Sequence, residues 1–199
     1  DKIVYQDEFV HFIQQTFQPA LQEGGVEGKK IFYELDNEPA LWPESHTLVH
    51  PLKTTYAEMA ERTKRFGAMI KRQAPKSLVF GPVTFGFNEM VTLQNAPDQM
   101  GREYLDFYLD TAKEMEKSEG KRIIDVLDIH WYPEVQVAGK YLVYDDRTPE
   151  KQSANPLKEE SEARVQMPRS LWDPAYIEGI KITENYYGKP RPLRLIPWL

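Results

Sequence analysis

Residues 30–42 read KIFYELDNEPALW. Lys30 to Leu35 is a short run rich in β-branched and aromatic residues with no clean alternation, which predicts a strand buried on both faces, as in a parallel sheet. Asp36 ends that strand, and Pro39, which has no N–H to give to a ladder, stops the pairing soon after. Glu38 is therefore expected at the carboxyl end of a strand. Two further runs share this character, LVFGPV from Leu78 to Val83 and IIDVLDIHWY from Ile123 to Tyr132. Helical patterns alternate with them. Phe9, Val10, Phe12, Ile13 and Phe17 form one before the first strand. Thr55-x-x-Glu58 is a capping box for a helix whose Tyr56, Met59, Ala60, Thr63, Phe66, Gly67 and Ile70 share a face, with Pro75 closing it. A third helix carries Tyr104, Leu105, Tyr108, Leu109, Ala112 and Met115 and is capped by Gly120. Helix, strand, helix, strand, helix, strand predicts a βα repeat with right-handed crossovers.

The strand starts at residues 30, 78 and 123 lie 48 and 45 residues apart, which leaves room for sizeable loops after each strand. Barrels keep their functional groups in such loops. Eight units at this spacing would need about 370 residues, against ~250 for a plain (β/α)₈ barrel, so the fold expected is α/β, a partial (β/α)₈ TIM-type barrel. Residues 1–199 are expected to be a fragment of one catalytic barrel with no second domain. Residues 133–168 are polar and punctuated by Asp145, Asp146, Thr148 and Pro149, which predicts a long loop or insertion with a short charged helix from Pro156 to Gln166. The chain does not begin with Met and reads as a piece of something longer.

Composition narrows the function. The 199 residues carry 25 Lys and Arg against 31 Asp and Glu, a formal charge of −6, which excludes a basic nucleic-acid binder. Hydrophobic residues make up 41% and charged residues 28%, enough apolar material for a core and too little charge for a disordered tail. No run approaches the roughly 20 apolar residues of a membrane helix, and DKIVYQDEF at the start lacks the regions of a signal peptide. With no cysteine there is no disulfide, thiolate nucleophile or Cys-based zinc site.

Glu38 is the sharpest candidate for chemistry. Hydrolysis of a glycosidic bond needs a carboxylic acid to protonate the leaving oxygen, and a Glu between an apolar strand end and Trp42 suits that task. Asn37 beside it can hydrogen-bond a sugar hydroxyl. A bland alternative has Asp36 and Glu38 capping a helix or pairing with an arginine. A second cluster, Asp128, His130, Trp131 and Tyr132, ends the third strand: the aromatic faces can stack on pyranose rings, and His130 can hydrogen-bond a nucleophile or a hydroxyl. Core packing is its alternative. Trp42 and Trp172 are further candidate sugar platforms. His46 and His50 are four apart, a spacing that can bind zinc on a helix, but Pro51 follows and no third ligand presents itself, so they are expected to order a loop through hydrogen bonds.

The order of LDNEPALW (35–42), His46, Val49, His50 and Pro51, FGPVTFG (80–86), VLDIHWYPE (126–134) and PRSLWDPAY (168–176) resembles glycoside hydrolase family 44 over nearly the whole chain. The resemblance implies endo-acting β-1,4-glucanases and xyloglucanases, retaining enzymes with a barrel and a small β-sandwich. It implies that the strands here are barrel strands four to six, that Glu38 is the general acid/base, and that Asn37 contacts the sugar at the cleavage point. Trp42, His130, Trp131 and Tyr132 are then expected to line the substrate cleft. The expected partner is a β-glucan polysaccharide (cellulose, carboxymethylcellulose or xyloglucan), with no nucleic acid, no membrane and a monomeric full-length enzyme. No cofactor and no catalytic metal are expected, and a structural calcium stays open without a site. Secretion is the localisation the family suggests.

Residues 179–188, GIKITENYYG, read as a short strand ending in Glu184, which offers a local rival for the nucleophile. In the family the segment resembling PRSLWDPAY leads into a stretch like Leu193 to Leu199, and the nucleophile strand follows that stretch. The nucleophile is accordingly expected beyond Leu199, and the 199-residue fragment is expected to be inactive. Two other readings stay open: a non-catalytic carbohydrate-binding or pseudo-enzyme fragment, and another barrel glycosidase, a mannanase or xylanase, sharing only Asn-Glu-Pro.

Overall fold

The computed structural model describes residues 5–23, 30–133, 135–137, 140–142, 158–178 and 182–198. Two compact units divide the chain, Asp1–His130 and Trp131–Leu199.

In the first unit three parallel strands, β1 (Tyr33–Glu34), β2 (Val79–Thr84) and β3 (Val126–Ile129), lie side by side in chain order. Tyr33 aligns with Val79, and Phe80 with Val126. Central β2 is almost wholly buried, as a parallel strand should be, whereas Glu34 of β1 is exposed and β3 is half-buried throughout. The expectation of burial on both faces thus holds for β2 alone, because β1 and β3 each pair on one side among the described residues.

Each strand is preceded by a helix, α1 (Gln6–Glu23), α3 (Tyr56–Gln73) and α5 (Tyr104–Glu119). Thr55 caps α3 as its sequence predicts, its Oγ1 accepting the Glu58 N–H at 3.0 Å. The Glu58 carboxylate does not close the box but turns to His50 and Arg62. Tyr56, Met59, Thr63, Gly67 and Ile70 of the expected face are buried. Gly67 is needed there, since a Cβ at that position would stand 2.5 Å from Cγ2 of Ile123, the residue that leads into β3. Gly120 ends α5 in the left-handed conformation, φ 66°. On α1 the apolar face is only partly used: Val10 is buried and Phe9, Phe12 and Phe17 are about half exposed. Between β1 and α3 the chain makes a 3₁₀ turn (Pro39–Leu41) and a short helix, α2 (Trp42–Ser45). The sequence pattern also passed over α4 (Phe87–Thr92), directly after β2.

At the amino ends of the strands a buried ion pair joins α3 to β2 and β3. Lys71 Nζ lies 2.5 Å from Asp125 Oδ2 and donates to the Ser77 carbonyl, while Asp125 also accepts the Val79 N–H.

The second unit holds an antiparallel pair, β4 (Gln136–Val137) with β5 (Lys140–Tyr141), then α6 (Lys158–Gln166), a 3₁₀ turn (Met167–Leu171), α7 (Ile182–Tyr187) and α8 (Leu195–Trp198). The charged helix expected from Pro156 is thus found, starting at Lys158. Residues Glu134, Asp145, Asp146, Thr148, Pro149 and Pro156 lie outside the described residues. One expectation fails: Glu184 sits in the first turn of α7, not at the end of a strand. The polar run Thr183-Glu184-Asn185 lacks a strand's period, and the left-handed Gly188 closes a helical turn by donating to the Glu184 carbonyl at 2.8 Å.

Candidate active site

Glu38 follows β1 in a left-handed backbone conformation, φ 50° and ψ 58°, costly for a residue with a side chain and found where a structure over-determines the position. Its N–H donates to the Val83 carbonyl at 2.9 Å. Val83 is itself left-handed, φ 61°, and marks a register shift between Pro82 and Thr84 against β3. Two unusual backbone positions at adjacent strand ends therefore meet through one hydrogen bond.

The Glu38 side chain reaches across β2 to the end of β3. Its Oε1 lies 2.8 Å from His130 Nδ1, with both side chains about one-quarter exposed. His130 is held there by its own N–H, which donates to the Thr84 carbonyl at 2.7 Å. Sequence reading brought both residues to strand ends; their direct pairing appears only in three dimensions. Among the described residues no arginine pairs with Glu38, and its side chain caps no helix, so the bland alternative does not describe it there. Asn37 is exposed beside it, its N–H donating to Asp36 Oδ1 at 2.8 Å.

Trp42, expected as a sugar platform, is instead buried in the structure. It is 6% exposed and sits in a core cluster with Ala40, Tyr56, Met59, Leu93 and Tyr104, its ring covered by the Arg62 guanidinium at 5.3 Å and by the His50 ring at 5.2 Å. Stacking on a pyranose needs an open face. His50 orders the loop as expected: its Nε2 is 2.8 Å from Glu58 Oε1, and Arg62 Nε donates to the same oxygen. Desolvation alone would raise the Glu58 pKa, but the bonds from His50 and Arg62 outweigh it and hold the carboxylate below its ordinary range. His46, four residues away, is exposed. Trp131 and Tyr132 open the second unit, Trp131 half-buried and Tyr132 exposed; Trp172 is also exposed there.

Next to His130 lies a carboxyl pair. Glu34 on β1 hydrogen-bonds Asp128 on β3, and its pKa is raised by partial burial first, then by that bond and by Asp128's charge. A hydrogen bond between two carboxyl groups requires a shared proton. With His130 these groups bring one ligand atom each within 4.8 Å, the one grouping of metal-ligating type among the described residues.

Glu89 on α4 was missed by sequence reading. It is fully buried, accepts the Ala40 N–H on Oε1 at 2.9 Å and the Phe85 N–H on Oε2 at 2.6 Å, and burial pushes its pKa up to about 7, with the Glu38 charge adding to the rise. The one available signal was a single charged residue inside the largely apolar run from Leu78 to Val91.

A parallel βα sheet with a carboxyl group and a histidine meeting across the central strand at the strand ends defines a section of a barrel of the kind glycoside hydrolases use. The family model for glycoside hydrolase family 44 matches residues 1–135. The chain is 38% identical over 183 residues to Endoglucanase A of Paenibacillus lautus, a match covering 89% of this chain and 24% of that protein. It also resembles the crystal structures of a family 44 endoglucanase from Clostridium thermocellum (34% identity, TM-score 0.79, 99% of this chain and 37% of that one) and of a family 44 xyloglucanase from Paenibacillus polymyxa with xyloglucan (36% identity, TM-score 0.78, 98% and 37%). The chain belongs to glycoside hydrolase family 44 and spans 24% to 37% of the length of these relatives.

Proposed function

We propose that the chain supplies the acid/base side of the active site of a retaining, endo-acting glycoside hydrolase that cleaves β-1,4-glucan backbones such as cellulose, carboxymethylcellulose and xyloglucan. The observation that carries this is Glu38, held left-handed at a strand end and hydrogen-bonded to His130 from the strand beyond. In the first step Glu38 gives its proton to the glycosidic oxygen as that bond breaks, while a second carboxylate takes the sugar carbon. Glu38, now ionised, then removes a proton from the water that releases the sugar. His130 keeps the carboxyl aimed. Asn37 is exposed at the right place in the chain to hydrogen-bond a hydroxyl of the sugar. Trp131 and Tyr132 supply stacking faces. The second carboxylate is assigned beyond residue 199, and a polymer too large to enter a cell favours a secreted enzyme.

In the complete enzyme, Glu38→Gln is expected to cut turnover of a soluble β-glucan by roughly 10² to 10⁴, the usual worth of general acid catalysis. A dinitrophenyl β-glycoside, whose leaving group needs no proton, should still release its phenolate in the first step, and added azide should be captured as the β-glycosyl azide. Near-normal hydrolysis of polymer by this variant would make Glu38 structural.

A further inference from the structure

We infer that Glu89 is a positioning residue for the acid/base function of Glu38, its buried carboxyl group fixing the turn on which Glu38 stands. Left-handed backbone at a residue with a side chain relaxes unless its neighbours forbid it. Here the amide before the side chain is tied to Val83, as described above. The chain just after it is tied by Glu89, which accepts the Ala40 N–H with one oxygen and the Phe85 N–H with the other, joining the turn after β1 to the loop after β2. Thr54 completes the hold by donating to the Pro39 carbonyl at 2.7 Å. Pro39 has no N–H of its own, so Ala40 offers the first donor past Glu38. Glu89 makes these contacts at zero exposure, with no water to substitute for a lost acceptor. Its carboxyl has two acceptor oxygens for two donors, which an amide cannot match.

The inference rests on Glu38 being the acid/base, and the test separates the two. In the complete enzyme, Glu89→Gln and Glu38→Gln are compared on a soluble β-glucan and on a dinitrophenyl β-glycoside, whose pre-steady-state burst reports the first step by its rate and the number of folded sites by its amplitude. A displacement near 1 Å can cost about 10²-fold in rate, so Glu89→Gln is expected to lower polymer turnover per folded site by roughly 10- to 100-fold while the burst rate changes less than about threefold. Equal losses on both substrates, or no loss on either, would overturn the positioning role. If Glu89→Gln gives no burst amplitude, Glu89→Asp, which keeps the charge but cannot reach both N–H groups, is read by the same criterion. Should Glu38→Gln itself show no contrast between leaving groups, the acid/base assignment fails and the inference with it; contrast in Glu38→Gln without contrast in Glu89 variants sinks the inference alone.

Discussion

Glu89 should also mark the pH dependence of stability. Its unfolded pKa is near 4.5 and its folded value about 7. As pH rises through that window the unfolded chain gives up the proton while the folded chain keeps it, so stability falls between about 4.5 and 7 and levels off above. Glu38 from the turn after β1 and Tyr104 from α5 are the titratable groups coupled to it, and Glu38 pushes in the same direction as burial. The shift corresponds to about 3 kcal/mol at 1.36 kcal/mol per pKa unit. Glu58, with a lowered pKa, works the other way and below this window, losing stability as pH falls. Urea unfolding of the complete enzyme at pH 4.5 and 7.5 should therefore show a decline that Glu89→Gln makes smaller, leaving the part due to Glu34, whose pKa is also raised; an identical decline in the variant would mean that Glu89 does not contribute to it. At this scale Glu38 and His130 were legible because strand-end chemistry is local in the sequence. Glu89 and the burial of Trp42 were not, since a buried acid and a buried indole depend on what folds over them.

Between elements, the contact of α3 with the segment leading into β3 is the most sensitive. Gly67→Ala would gain about 1 kcal/mol of helix propensity, but the added carbon must displace the branched, buried Ile123. Overpacking of that kind costs about 1 to 3 kcal/mol, so the net effect expected is destabilising by up to roughly 2 kcal/mol, read as a lower melting temperature. A rise in melting temperature would show that Ile123 moves aside at little cost. The ends of α3 and α5 were readable because Thr55, Pro75 and Gly120 act on the backbone within one turn of themselves. Residues 182–188 were misread as a strand end because Ile180 and Ile182 are spaced as in a strand, a single pair too short to fix a period, and the closing turn at Gly188 decides for a helix.

For the molecule as a whole, the half-exposed Phe9, Phe12 and Phe17 on α1 find no cover among the described residues, which is what a section of a barrel leaves open. A polypeptide of these 199 residues alone is expected to bind a hydrophobic dye and to release no reducing sugar from β-glucan, because an acid without a nucleophile cannot complete the double displacement. Hydrolysis by that polypeptide, abolished by Glu184→Gln, would transfer the nucleophile's role to Glu184. The sequence by itself determined the alternation of helices and strands, the parallel nature of the sheet and the strand-end address of Glu38, since period, capping residues and proline placement are properties of neighbouring residues. Only the tertiary structure decided which groups Glu38 meets. His130 is 92 positions away in the chain and Glu89 is 51, and their approach depends on parallel register, on the shift at Val83 and on burial, quantities that exist only once the strands are side by side.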